Sequence, residues 1–173
     1  PSRLARDDST TPPSLNFIRK LENIGNKIKE KGKKELDFFE IIKNVSKGVV
    51  NGASFKTIKK ALKLGFNYIL NDLEKEELRV ELNLLRMNLN KDIFINLIKE
   101  FYPSLAFVYF NELDVFAHHY WKYYEPEKFN DLNKNDVEKY KDVIPEGYKE
   151  MDRIIGDLLK VTDEDTTICI VSD

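Results

Sequence analysis

Two short apolar runs, each giving way at its C-terminal end to polar residues, constrain this chain more than anything else in it. The first, Leu105-Ala106-Phe107-Val108-Tyr109-Phe110, leads into Asn111-Glu112-Leu113-Asp114-Val115-Phe116-Ala117-His118-His119-Tyr120-Trp121. The second, Thr167-Ile168-Cys169-Ile170-Val171-Ser172, ends in Asp173. Short runs rich in β-branched and aromatic side chains read as buried strands. Strands that deliver polar residues from their ends are how an open α/β sheet builds a site. If the segment after the first run is helical, residues four apart share a face, so Asp114 and His118 can point at one metal ion.

The 173 residues are enough to bury one real core. Lys+Arg 28 against Asp+Glu 30 leaves a formal net charge of −2, which excludes a strong overall field for nucleic acid or an anionic membrane. The lysines from Lys27 to Lys34 read as a solvated helix face, because Glu30 and Glu35 interrupt them. A single cysteine, Cys169, excludes an intramolecular disulfide, and its place in an apolar run predicts a small core residue. No apolar run approaches membrane-spanning length, Pro1-Ser2-Arg3 does not open a signal peptide, and a soluble protein is expected in a compartment the sequence leaves open.

The chain divides into three stretches. Residues 1–13 read as an irregular lead-in, residues 14–102 as a helical cap or insertion subdomain, and residues 103–173 as an α/β part. In the helical stretch, Leu15, Ile18, Leu21, Ile24 and Ile28 recur at helical spacing after Ser14, and Leu36, Phe39, Ile42 and Val45 mark a second helix over about 35–46. Ser54 caps a third helix carrying Ile58, Leu62 and Phe66 or Ile69. A charged helix follows from Leu73 through Met87, and Asn90 or Asp92 opens another that Pro103 stops. In the α/β stretch a long amphipathic helix is expected from about Asp136 to Val161, with Tyr140, Ile144, Gly147 or Tyr148, Met151, Ile154 or Ile155 and Leu158 inward and Pro145 breaking or kinking it. Strand, helix and strand in that order predict two parallel strands joined by a right-handed crossover. The fold class expected is therefore α/β, a helical subdomain followed by a strand–helix–strand unit. Its exposed sheet edges would let it pair with another copy of itself.

The residues of the last stretch resemble a known family. Pro103-Ser104-Leu105-Ala106-Phe107-Val108-Tyr109-Phe110-Asn111, then Asp114 and His118, then Trp121 and Glu125-Pro126, look like the central motif of type I phosphodiesterase/nucleotide pyrophosphatase proteins of the alkaline phosphatase superfamily. Tyr148, Met151-Asp152, Ile155-Gly156, Leu158-Leu159, Asp165-Thr166-Thr167 and Val171-Ser172-Asp173 are similar to the stretch leading into that family's Ser-Asp-His-Gly motif. Both matches keep the family's order and approximate spacing.

The resemblance implies a part of an alkaline phosphatase-like core and a hydrolase of phosphoric esters that uses two divalent metal ions, usually zinc. Two cations stabilise both the entering and the leaving oxygen of an in-line displacement. Carried over by position, Asp114 and His118 would be ligands of one metal and Asp173 a ligand of the other. From the residues themselves, Tyr120 and Trp121, with His119 beside them, read as a wall for a small phosphate-ester substrate, although such an aromatic cluster is more often core and His119 more often a surface histidine. No nucleic-acid platform and no membrane segment are expected. The family's later histidines and its Thr or Ser nucleophile have no counterpart in this sequence, so the chain is expected to be an internal fragment, inactive alone. A sulfatase or phosphotransferase of the same superfamily is the neighbouring alternative, and a non-catalytic helical interaction module the distant one. Without the resemblance, Asp114 reads better as an acid at a helix N-terminus and His118 as a nearby hydrogen-bonded histidine.

Overall fold

A computed structural model describes residues 52–69 and 73–172. The lead-in, the two helices expected between residues 14 and 46, and Asp173 lie outside the described residues. The chain separates into two compact units, Pro1–Asn96 and Leu97–Asp173.

In the first unit, α1 spans Phe55–Ile69, and α2 begins at Lys75 and runs to Phe101. Ser54 starts α1 as its spacing predicts: its Oγ accepts the Thr57 N–H at 3.3 Å. Asp92 completes that start from afar, its Oδ2 accepting the Ser54 N–H at 2.8 Å and the Thr57 hydroxyl at 2.5 Å. A carboxylate beside a helix N-terminus also answers the positive end of its dipole. Lys91 Nζ sits 3.2 Å from the other oxygen of Asp92, and both side chains are buried. Asp92 therefore caps α1, whereas the sequence suggested that it opens a helix of its own.

That difference fuses two expected helices into one. α2 has no break at Asn90 or Asp92. It begins with a reach-back from Glu77, whose Oε2 accepts the Glu74 N–H at 2.8 Å. Its internal asparagines do not interrupt it, because their amides turn back on the same helix: Asn83 Nδ2 donates to Arg79 O and Asn88 Nδ2 to Leu84 O, each at 2.8 Å. Leu78, Leu85, Met87, Leu89 and Ile93 supply its buried apolar side chains. The stop before Pro103 is as expected: Tyr102 adopts φ 44°, outside the right-handed helical region that a residue preceding proline avoids.

The second unit is a helical layer. It holds α3 (Glu112–Tyr124), a short 3-10 turn (Pro126–Lys128), α4 (Lys134–Tyr140) and α5 (Val143–Leu159). α4 is capped by Asn133, whose side chain accepts the Asn135 N–H. The expected single helix is thus two, parted at Lys141–Asp142. Pro145 falls in the first turn of α5, where a missing N–H costs no hydrogen bond. α3 packs on α4 and α5 through Phe116, Tyr120, Tyr140, Ile144 and Ile154, all buried. Of the paired alternatives on α5, Gly147 and not Tyr148 turns inward, and so does Ile154.

The α/β expectation is overturned. Among the described residues there is no strand, and neither apolar run pairs with anything as a ladder. Leu105, Phe107 and Tyr109 are 73%, 84% and 79% exposed, and Ile170 and Val171 are exposed as well. Cys169 is also exposed, not a core residue. The physical reason is that a helix closes its backbone hydrogen bonds within one segment, whereas a strand depends on partners elsewhere. The helices next to the runs form; among the described residues the runs themselves have no ladder to join. With no sheet among the described residues, pairing between copies through sheet edges loses its structural basis.

Candidate metal site on helix α3

The register of α3 decides which of its polar residues meet solvent. Glu112, Phe116 and Tyr120 follow at intervals of four and are fully buried, with 0%, 0% and 1% exposure. Gly147 on α5 lets that face come close, since a Cβ built there would lie 2.7 Å from Phe116 Cδ2. The opposite side of the same helix carries Asp114, His118, Trp121 and Glu125 at spacings of four, three and four, which is one face of an α-helix.

Asp114 and His118 meet on that face as their spacing predicts. His118 Nε2 lies 3.2 Å from Asp114 Oδ1, and the side chains are 78% and 67% exposed. At such exposure the contact adds little to stability. Its geometry suits another use. Zinc bonds to nitrogen and oxygen of about 2.0–2.1 Å, set at a tetrahedral angle, hold two donors roughly 3.3–3.4 Å apart. The two side chains are thus already near the separation that one ion requires. Among the described residues, no group of three or more His, Cys, Asp or Glu is assembled to hold a metal.

The three residues expected to meet substrate separate. Tyr120 lies in the core, edge-on to Phe116 with ring centroids 6.2 Å apart and 5.7 Å from Tyr140. His119 is exposed but points off the Asp114–His118 face. Trp121 lies on that face, one turn beyond His118, and is 43% exposed. Its indole Nε1 donates to Glu125 Oε2 at 2.8 Å, and Lys128 Nζ donates to the same oxygen at 2.8 Å. Tyr124 stands edge-on to the indole at 5.7 Å. The Lys128 hydrogen bond, joined by that from Trp121, holds the Glu125 carboxyl below its usual value. The Trp121–Glu125–Lys128 tie was not anticipated. The spacings of four and three were its signal, once the buried register of α3 had placed Trp121 outside.

Family comparison now bears on this face. The family model for type I phosphodiesterase / nucleotide pyrophosphatase matches residues 41–173, well over half of the chain. The chain belongs to this family. The matched segment contains Asp114, His118 and Trp121. The match reaches further toward the N-terminus than the motif resemblance at residues 103–173, and takes in α1 and α2. No curated protein and no solved structure matches the chain significantly. No helix among the described residues is long and apolar enough to cross a membrane.

Proposed function

We propose that this phosphodiesterase-family chain contributes half of a divalent metal centre to a phosphoric ester hydrolase, with Asp114 and His118 as ligands of one ion and Asp173 as a ligand of a second. The observation that carries the reading is the convergence of Asp114 Oδ1 and His118 Nε2 at 3.2 Å on an exposed helix face. A carboxylate oxygen and an imidazole nitrogen are a donor set that zinc accepts. When bound, such an ion supplies charge stabilisation at the phosphoryl oxygens. Helix α3 fixes the two donors relative to each other, because its buried face locks the helix register against α4 and α5.

Two donors leave the remaining positions of a tetrahedral ion to other groups. The chain by itself is therefore expected to hold an ion weakly and to turn over no ester. Trp121 is placed to lie against the organic part of a small phosphate ester, one helical turn from the donors. Tyr120 has a packing role in this proposal, and His119 at most a peripheral contact.

Calorimetric titration of zinc into the chain, beside an Asp114→Asn/His118→Ala double variant, tests the reading. Binding is expected in the parent sequence and is lost in the variant. Equal heats in both would remove Asp114 and His118 from the metal centre and return them to an ordinary helix ion pair.

A further inference from the structure

The chain's overall charge balance conceals a segregated surface on α1. This helix, FKTIKKALKLGFNYI, contains four lysines and no acidic residue, in a chain of net charge −2. Its inward side is made by Thr57, Leu64 and Gly65, all buried. Of the residues expected from spacing on the apolar stripe, Leu62 and Phe66 are 45% and 57% exposed, and Phe55 is 82% exposed. On a helical projection these three fall on one narrow strip, at positions i, i+7 and i+11. Lys56, Lys59 and Lys63 are exposed and fall on the strip immediately beside it. One side of α1 therefore presents an apolar ridge and a parallel lysine row over about three turns.

We propose that this face of α1 lies in the interface of an anionic lipid membrane, with Phe55, Leu62 and Phe66 entering the headgroup–acyl boundary and Lys56, Lys59 and Lys63 meeting lipid phosphates. A helix with lysines on its polar side and phenylalanine and leucine beside them has the physical make-up of an in-plane membrane anchor. Charge complementarity selects the partner: the row is cationic without a compensating acid on α1, so the surface it fits is anionic. Geometry narrows it further. A bilayer offers negative charge and hydrocarbon as two flat, parallel layers, which a straight ridge and a straight row can meet at once. The exposed aromatic side chains also have a use there, since the amphipathic boundary accommodates rings at little cost. The membrane contact is separate from the Asp114–His118 pair and does not depend on metal binding.

Flotation of the full chain with phosphatidylcholine vesicles, with and without added phosphatidylserine, tests the proposal. The chain should float with the phosphatidylserine vesicles, stay behind with phosphatidylcholine alone, and be released by raised salt. Changing Lys56, Lys59 and Lys63 together to Gln should weaken partitioning on the order of a hundredfold, and Phe55→Ser with Phe66→Ser should also abolish flotation. All five side chains are exposed, so both variants should keep the parent's circular dichroism. Failure of the parent to float, equal binding to both vesicle types, or unchanged binding in the lysine variant would each overturn the proposal. Loss with the lysines but not with the phenylalanines would overturn insertion and leave only electrostatic adhesion.

Discussion

Glu125 accepts hydrogen bonds from Trp121 and Lys128 through the same oxygen, so the indole's orientation depends on that carboxylate's charge. The Lys128 hydrogen bond is the main cause that lowers the Glu125 carboxyl from its ordinary 4.5, and the same bond raises Lys128. A depressed carboxyl favours the folded arrangement above the ordinary value, and that contribution is lost as pH falls through the depressed one. The chain has one tryptophan, so its emission comes from this position alone. Emission should change with a midpoint below 4.5, and Glu125→Gln should erase the step. A midpoint at or above the ordinary value would show that Lys128 does not hold the carboxylate in solution. At this scale the sequence was legible where chemistry is local. Asp114 and His118 meet because four residues make just over one turn. Tyr120 and Trp121 were not separable by type, both being large aromatics. Only their phase relative to Phe116 sends one inward and the other out.

Two glycines on one helix have opposite roles. A Cβ at Gly147 would lie 2.7 and 3.0 Å from ring atoms of Phe116 and 3.2 Å from Leu113 Cδ2, and the Phe116 ring is fully buried. Gly156, nine positions along the same helix, has nothing within 4 Å of where its Cβ would be. Gly147→Ala is expected to destabilise by about 1 kcal/mol, overpacking outweighing the gain in helix propensity. Gly156→Ala should stabilise by about 0.5–1 kcal/mol, since there the propensity gain stands alone. Midpoints of urea unfolding read both; a stabilising Gly147→Ala would mean that α3 and α5 do not approach as closely as described. Elements followed the sequence where their signals are contiguous: Ser54 before α1 and Pro103 after α2. They departed from it where a distant partner intervenes. Asp92 looks like a helix start until its carboxylate is seen capping α1, 38 positions from Ser54. Leu62 and Phe66 read as core by periodicity alone, and periodicity does not say which face a neighbour will cover.

At the scale of the whole molecule, apolar surface is the dominant unspent term. Leu105, Phe107, Tyr109, Ile168, Ile170 and Val171 are exposed by 42% to 85% within segments that have neither helix nor strand. Their sequence pattern predicts burial, and the structure leaves them exposed: burial requires a covering surface, and a run of apolar residues does not supply its own. Contiguous exposed apolar surface attracts hydrophobic probes and other copies of the chain. The folded protein is therefore expected to bind a hydrophobic dye at neutral pH and to sediment with a concentration-dependent mass. Phe107→Ser and Val171→Ser are 84% and 85% exposed positions, so each should change stability by no more than about 0.5 kcal/mol. Together they should cut dye binding and shift sedimentation toward the monomer. If both signals persist while the melting transition is unchanged, the association surface lies elsewhere, and the exposed ridge of α1 is the next face to change.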